Sequence, residues 1–316
     1  MFYTARMNLA IAAGAMLFAV QLAPATQREI VFVCNRDGAD NICTIDSTSL
    51  EIRQVTFGKE TDALNRGPRW SPDWRKVTFF RRAAGRTDVH IMNSDGTGIT
   101  KLTDSDGTTL YRNPAWSPDG MRLAIECGMP NAWQICVVSI DGSGLRKLTD
   151  GTTAASSESP DWSPDGRRMA FHSNRDAGPP GTHPFRGSEI YVMDADGSNV
   201  RRLTVTAAGR TSQNPAWSRD GQSLAFGSTR DGESLLSDWE IYVMDADGTS
   251  IRRLTNDRKP DGHPRWSPDG RHLVFHSTQD GTSRTANDVE LYLIGADGSN
   301  LRRLTSNRLY DGSADW

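Results

Sequence analysis

The chain has 316 residues, of which 24% are charged and 36% hydrophobic, and its formal net charge is −3. This is the composition of a soluble protein that is long enough to bury a large core. Because both signs of charge are spread along the chain without a basic stripe, the composition argues against a nucleic-acid-binding protein.

The first 25 residues differ from the rest of the chain. A start that carries Arg6 and no acid is followed by an almost wholly apolar stretch, Leu9 to Leu22, and then by Ala23-Pro24-Ala25. This order is typical of a secretory signal peptide, so residues 1–25 are predicted to be removed on export, with an uncleaved anchor as the alternative. No later stretch is apolar enough to span a membrane. The remaining residues, 26–316, are therefore predicted to be periplasmic or secreted.

One pattern recurs through the rest of the chain. In residues 113–125, a strand ending at Trp116 is followed by Ser-Pro-Asp-Gly and a short apolar run. A Trp of this kind occurs six times, at intervals of 46 to 55 residues: Trp70, Trp116, Trp162, Trp217, Trp266 and Trp316. Self-similarity at a nearly fixed period indicates a repeat architecture.

Each repeat contains four short runs of β-branched and aromatic residues, separated by Asp-Gly turns and without helical periodicity. Four-stranded units of about 40 to 50 residues predict propeller blades. The first repeat starts at Glu29 and lacks the strand that ends at the repeated Trp, which we call the Trp strand. Ser313–Trp316 supplies a Trp strand that is not followed by the other three strands of a repeat. The sequence therefore predicts an all-β, six-bladed β-propeller with four-stranded antiparallel blades, closed by pairing of the N- and C-terminal strands.

The four cysteines fit this repeat. Cys34 aligns with Cys127 and Cys43 with Cys136, and both pairs are nine residues apart. We expect disulfides Cys34–Cys43 and Cys127–Cys136 between facing strands of two hairpins, as an oxidising compartment allows. A metal site is the alternative, although the chain has no Cys-x-x-Cys knuckle.

Four segments recur, with substitutions, in the full repeats: Trp-Ser-Pro-Asp-Gly, Leu-Ala-Phe, Ile-Tyr-Val-Met-Asp-Ala-Asp-Gly and Arg-Arg-Leu-Thr. This pattern resembles the WD40-like (PD40) propeller repeat of the TolB family, most closely in residues 160–204 and 215–255. The resemblance implies a periplasmic propeller that binds protein partners, as TolB binds the lipoprotein Pal. TolB carries an α/β domain ahead of its propeller, whereas here the first strand follows the predicted cleavage site almost at once. We therefore expect a TolB-like propeller with an unassigned partner.

Two positions of each repeat vary beside the fixed Trp and are candidates for a binding site at the channel mouth. One precedes the Pro and the other precedes the Trp. The candidate binding residues are Arg69, Asn113, Ser159, Asp161, Asn214, His263, Arg265 and Asp315. Their other interpretation is a solvated channel lining with salt bridges between blades.

An enzymatic site has weaker support. A metal-dependent site would need about three convergent ligands, and His263, Asp161, Asp315 and Glu158 do not form a compelling cluster in the sequence. No nucleophile elbow of the G-x-S-x-G type occurs. We therefore expect no metal, cofactor or catalytic residue.

The predicted function is a monomeric, non-catalytic protein-interaction module in the cell envelope. A channel-based carbohydrate lyase, hydrolase or small-ligand binder is the alternative. Two long loops, 174–189 with His183 and Phe185 and 229–240 with Leu235, Leu236 and Trp239, are either partner surfaces or local packing.

Overall fold

The computed structural model describes residues 28–36, 38–57, 63–150, 155–176, 187–232, 238–257, 259–278, 289–307 and 309–316. The predicted signal peptide, residues 1–25, lies outside these ranges. Within them, no helix is long and apolar enough to cross a membrane.

The described residues form 24 strands in six four-stranded antiparallel sheets, which are the blades of a propeller. Blade 1 contains β1 (Glu29–Arg36), β2 (Ala39–Asp46), β3 (Ile52–Gln54) and the last strand, β24 (Asp311–Asp315). Blade 2 contains β4 (Leu64–Trp70), β5 (Lys76–Ala83), β6 (Arg86–Asn93) and β7 (Thr100–Lys101). Blade 3 contains β8 (Leu110–Trp116), β9 (Arg122–Met129), β10 (Ala132–Ser139) and β11 (Arg146–Lys147).

The last three blades follow the same order. Blade 4 contains β12 (Ser157–Trp162), β13 (Arg168–Ser173), β14 (Glu189–Asp194) and β15 (Arg201–Arg202). Blade 5 contains β16 (Ser212–Trp217), β17 (Ser223–Ser228), β18 (Glu240–Asp245) and β19 (Arg252–Arg253). Blade 6 contains β20 (Asp261–Trp266), β21 (His272–Ser277), β22 (Glu290–Gly295) and β23 (Arg302–Arg303).

The ring closes through blade 1. β24 pairs antiparallel with β1, with Val31 opposite Asp315 and Cys34 opposite Asp311. The strand order of this sheet is β24-β1-β2-β3, so the C-terminal strand takes the position that the Trp strand holds in other blades. The predicted six-bladed fold and its closure are confirmed.

The repeated Trp joins neighbouring blades. Trp266 is 7% exposed and packs in one cluster with Ala225 and Ile241 of blade 5 and Phe275 of its own blade. Its indole N–H donates to the carbonyl oxygen of Ala216 in blade 5 at 3.1 Å. Burying an aromatic ring while satisfying its N–H stabilises the contact between blades, which explains why the Trp recurs.

The Ser-Pro-Asp-Gly segment forms the predicted turn. In blade 3, the Ser117 hydroxyl donates to the Asp119 carboxylate at 2.5 Å, and the Gly120 N–H donates to the Ser117 carbonyl oxygen at 2.9 Å. Gly120 has a φ of 69°, a left-handed conformation that glycine adopts without a steric penalty. These turns all lie at one end of the channel, which we call the funnel face. The opposite end is the loop face.

Both predicted disulfides form, with Cα–Cα distances of 5.8 Å for Cys34–Cys43 and 5.9 Å for Cys127–Cys136. The expectation that the cysteines of a pair face each other is wrong. Cys34 lies opposite Asn41, and Cys43 lies opposite Phe32. The register of the hairpin makes the cysteines diagonal neighbours on one face, at a Cα separation that a disulfide spans.

Candidate functional site

The third residue before the repeated Trp of each innermost strand is in a left-handed conformation, and it precedes a Pro in five strands and Ala314 in the sixth. The register of these strands shifts at this point, for example between Arg112 and Ala115, as in a β-bulge. These six residues, which we call the left-handed ring, have φ values between 49° and 58°: Gly67, Asn113, Ser159, Asn214, His263 and Ser313. The left-handed turn points their backbone N–H groups away from the ladder of their own blade.

Side chains of the preceding blade accept several of these N–H groups. Glu126 Oε1 accepts from the Ser159 N–H at 2.8 Å. His172 Nδ1 and His276 Nδ1 accept from the N–H groups of Asn214 and Ser313, each at 3.4 Å. The two histidines therefore hold neighbouring blades together.

The channel histidines are neutral at ordinary pH. Burial lowers the pKa of His172 to about 3, with a further contribution from the charge of Arg112, and burial lowers the pKa of His276 to about 4. Burial and the adjacent His276, whose ring lies 4.8 Å from that of His263, hold the pKa of His263 well below its usual range. Such imidazoles are poor proton donors near neutral pH.

The residues before the repeated Trp form a layer of paired charges across the channel. Arg69 Nη1 lies 3.1 Å from Asp315 Oδ1, and Arg69 Nη2 lies 3.5 Å from Asp161 Oδ1. Arg265 Nε lies 3.9 Å from the same oxygen of Asp315. Blades 3 and 5 place alanine at the aligned positions, Ala115 and Ala216. Two arginines and two aspartates thus form a charge layer of zero net charge.

Backbone groups hold this charge layer in place. The N–H of Trp70 donates to Asp315 Oδ2 at 2.9 Å, and the N–H of Trp217 donates to Asp161 Oδ2 at 2.8 Å. Burial, followed by repulsion from Arg69, lowers the pKa of Arg265 to about 10, so the guanidinium still keeps its charge at neutral pH. The charges of the layer are engaged with one another and with the backbone.

Above the charge layer, the channel opens as a funnel of about 360 Å³. Its floor is the charge layer, its walls are the repeated tryptophans, and its rim includes the turn prolines Pro72, Pro118, Pro164 and Pro268. Below the layer lies a cavity of about 40 Å³, lined in part by Asn113, Ser159 and His263. The charge layer therefore separates the funnel from the inner part of the channel.

Two residues at the rim depart from the repeat. Trp74 replaces the turn glycine in blade 2 and keeps its left-handed φ, at 62°. Arg219 replaces the turn proline in blade 5, opposite blade 2 in the ring. The guanidinium carbon of Arg219 lies 5.9 Å from the centre of the Trp74 ring, and Arg219 Nη2 donates to the main-chain oxygen of Trp316 at 2.7 Å. These two side chains meet across the funnel.

A second ionic group lies nearer the loop face. Arg112 Nε is 2.5 Å from Glu126 Oε2, and Arg112 Nη2 is 2.9 Å from Glu158 Oε2. The guanidinium also lies over the Trp133 ring at 3.9 Å. Burial first, and then the charge of Glu126, raises the pKa of Glu158 to about 7, while Arg112 opposes the shift. Two carboxylates thus share one cation.

The eight residues proposed from the sequence lie in two adjacent layers. Arg69, Asp161, Arg265 and Asp315 form the charge layer, and Asn113, Ser159, Asn214 and His263 belong to the left-handed ring beneath it. The Ser159 hydroxyl donates to Asn214 Oδ1 at 2.9 Å, which links the ring between blades 4 and 5. Only the charge layer borders the funnel.

Trp74 and Arg219 are not among the site residues predicted from the sequence. Aligning the Ser-Pro-Asp-Gly turns of the six repeats would have singled out both positions. Of the long loops, His183, Phe185, Leu235 and Leu236 lie outside the described residues. Trp239 is half-buried, and its ring lies against Gly227 of blade 5, so this part of the second loop packs locally.

Comparison with known proteins agrees with this architecture. The family model described as TolB beta propeller domain matches residues 212–316. The putative TolB from Agrobacterium tumefaciens is 25% identical, with a TM-score of 0.67 over 90% of this chain and 90% of that one. TolB from Acinetobacter baumannii is 20% identical, with a TM-score of 0.71 over 91% of this chain and 66% of that one.

The chain is therefore similar to TolB propellers. It spans slightly less than two thirds of the Acinetobacter TolB chain. The propeller fold is shared more widely: an oligogalacturonate lyase from Vibrio parahaemolyticus is 18% identical, with a TM-score of 0.57 over 88% of this chain and 75% of the lyase. At this identity the likeness to the lyase concerns the fold alone.

Within the described ranges, the predicted channel ligands do not form a metal-ligand group. Among the described residues, one group of three carboxylates has the spacing of metal ligands, and it contains none of the predicted channel residues. His263, Asp161, Asp315 and Glu158, which were the candidate ligands, are instead divided between the left-handed ring, the charge layer and the ionic group around Arg112.

Proposed function

We propose that this TolB-like propeller is an exported, non-catalytic binding module that holds a segment of another envelope protein in its funnel. The observation that carries this proposal is the meeting of Trp74 and Arg219 across the funnel mouth. The aligned turns of the other blades carry glycine and proline at these positions, so the two departures add an aromatic surface and a cation at the rim. Aromatic and Arg side chains are enriched among the residues that dominate protein interfaces.

The charge layer supports a binding function rather than catalysis. A general acid or base must be free to exchange a proton with a substrate, and an ordinary catalytic pKa lies near the working pH. Arg69, Asp161 and Asp315 are instead paired with each other or with backbone N–H groups. In the described part of the funnel, we find no observation that favours a lyase or hydrolase.

The location of the protein is part of the same proposal. Residues 1–25 have the pattern of a secretory signal peptide, and the two disulfides are of the kind that persists in an oxidising compartment. We propose that the mature propeller, residues 26–316, works as a monomer in the periplasm or outside the cell.

The test is a comparison of rim variants that restore the repeat. Trp74→Gly and Arg219→Pro give each turn the residue that its aligned turns carry, so both variants should fold. A photo-reactive amino acid placed at Met121, on the same face, should cross-link an envelope protein in the wild-type background. The double variant should lose at least nine tenths of that cross-linked product, which mass spectrometry would identify.

Matched controls keep the outcome clear. A photo-reactive residue at Phe57, an exposed side chain on the loop face, should not give the same product. Because Trp74 also packs against the Trp70 ring at 5.9 Å, cross-linking is compared at a temperature at which circular dichroism shows that each variant is folded. Cross-linking to the same partner by the double variant at the wild-type level would refute the funnel as the binding site.

A further inference from the structure

A buried polar side chain recurs at the start of the third strand of the blades. In blade 4, the Thr204 hydroxyl donates to Glu189 Oε2 at 2.6 Å, and in blade 5 the Thr255 hydroxyl donates to Glu240 Oε2 at the same distance. Both threonines also accept the N–H of the next residue of the third strand, at 2.9 Å and 3.0 Å. Glu240 is therefore part of the repeated framework on the loop face.

In blade 4, donors surround the corresponding glutamate. Glu189 Oε1 accepts from Arg202 at 2.8 Å, and it also accepts from the N–H and the hydroxyl of Thr206, both at 2.7 Å. The negative charge of this buried carboxylate is thus matched by hydrogen-bond donors without any added ion.

In blade 6, a second carboxylate is added together with its own partners. Asp311, at the start of the next innermost strand, accepts from Asn307 Nδ2 at 2.6 Å and lies 3.7 Å from Arg36 Nη2. Asn307 takes the position of Thr206 of blade 4, and its N–H donates to Glu290 Oε1 at 2.7 Å. This blade offers a natural comparison for blade 5.

Blade 5 keeps the arginine, since Arg253 pairs with Glu240 Oε1, but it replaces the donor at the position of Thr206 with an acid. Asp257 takes the position that Asn307 holds in blade 6, and Asp261 takes the position of Asp311. One oxygen from each of Glu240, Asp257 and Asp261 lies within 4.8 Å of the others. Three carboxylates therefore converge at the junction of blades 5 and 6, where the neighbouring junction has two carboxylates and an amide.

Asp261 is the unusual member of this group. The residue is 1% exposed, and among the described residues no donor has hydrogen-bond geometry to either carboxylate oxygen, although the hydroxyls of Ser277 and Thr255 lie beside it. A buried carboxylate without donors is strongly disfavoured unless a proton or a cation neutralises it. Its oxygen is one of the three that converge, so the unpartnered group faces the other two acids.

We propose that Glu240, Asp257 and Asp261 bind one Ca²⁺ ion at the junction of blades 5 and 6. A set of oxygen ligands selects a hard cation over Zn²⁺ or Cu²⁺. Ca²⁺ accepts oxygens at about 2.3 to 2.6 Å in flexible geometry, so ligands on opposite sides of the ion are about 5 Å apart, whereas Mg²⁺ requires a tighter octahedron. The partial exposure of Asp257 gives the ion a route from solvent. This site departs from the expectation, drawn from the sequence, that the protein holds no metal.

The test measures Ca²⁺ binding to the purified protein after treatment with EDTA. Titration calorimetry should show one Ca²⁺ per chain, and millimolar CaCl₂ should raise the melting temperature by at least 3 °C, with a smaller rise in MgCl₂. Asp261→Asn should abolish the shift and weaken binding at least tenfold. Asp257→Asn, which installs the residue of blade 6, should weaken binding by a similar factor.

Two further measurements distinguish loss of the site from loss of the fold. Asp261→Asn without calcium should melt at or above the EDTA-treated wild type, because the variant removes a buried acid that has no hydrogen-bond donor. Asp311→Asn changes the aligned carboxylate of the neighbouring junction, which Asn307 and Arg36 contact. This variant should keep the full rise in melting temperature with calcium. Absence of a calcium shift in the wild type, an undiminished shift in Asp261→Asn, or a larger shift with Mg²⁺ would overturn the proposal.

Discussion

Neutralising one acid of the charge layer should lower the free energy of unfolding of the propeller. Asp315 has a side chain that is 12% exposed, and it contacts Arg69 at 3.1 Å and Arg265 at 3.9 Å. Asp315→Asn keeps the shape of the side chain and an acceptor for the Trp70 N–H, but leaves two buried arginines with one aspartate, Asp161. Breaking a buried ion pair by neutralising one partner costs about 3 to 5 kcal/mol.

This loss is large enough to measure in two ways. Urea denaturation should show a free energy of unfolding lower by about 3 to 5 kcal/mol. At about 2 to 3 °C per kcal/mol for a chain of this size, the melting temperature should fall by roughly 6 to 15 °C. Asp104→Asn is the control. Asp104 lies on the surface in an ion pair with Lys101, and we expect no measurable change because solvent screens the pair.

A second substitution tests whether charge balance is the cause. Arg265→Met in the Asp315→Asn background restores one arginine to one aspartate, so the double variant should regain at least half of the lost stability. The coupling free energy of this double-mutant cycle should be about 2 kcal/mol or more. A loss below about 1 kcal/mol in Asp315→Asn, or purely additive effects in the cycle, would refute the argument that the layer is stabilised as a neutral unit.

Three other predictions concern the framework. Replacing Cys127 and Cys136 with Ser should lower the free energy of unfolding by about 2.5 kcal/mol in non-reducing urea titrations, because a short loop regains chain entropy in the unfolded state; an unchanged midpoint would contradict this. Ser313→Val should cost about 1 to 2 kcal/mol more than Ser313→Gly, because only glycine adopts the left-handed φ of 51° without strain; equal losses would show that the bulge relaxes. The pKa of Glu158 is raised in the folded state, to about 7, so its contribution to stability is full below pH 4.5 and is lost as the pH rises through 7. In urea titrations between pH 4.5 and 8, Glu158→Gln should therefore lose less stability than the wild type. Identical pH profiles of the two proteins would contradict the raised pKa.

Much of the fold was predictable from the sequence because each blade is a local unit. The Trp strand, the Ser-Pro-Asp-Gly turn and the apolar strands that follow are close in sequence, and their repetition every 46 to 55 residues gives six copies to compare. The same comparison gave the disulfide pairs. It did not give the diagonal register of the cysteines, because one residue of turn length decides which side chains are opposite.

The candidate site was only partly predictable. Repeat alignment singled out Arg69 and Asp315 as variable positions, but their contact joins residues 246 positions apart and depends on ring closure. The roles of His172 and His276 as acceptors for the next blade also depend on a left-handed backbone that residue type alone does not specify.

By itself, the sequence determined the blade, the number of blades, the closing strand and the disulfide partners, because hydrophobic alternation and turn chemistry act over a few residues. The tertiary structure alone decided which variable side chains meet: the charge layer, the approach of Arg219 to Trp74, and the convergence of Glu240, Asp257 and Asp261. In a closed ring, two residues meet when they lie at the same distance from the channel axis and at the same level along it, whatever their separation in the sequence. Electrostatic energy depends on those separations, so it is set only once the six blades are closed.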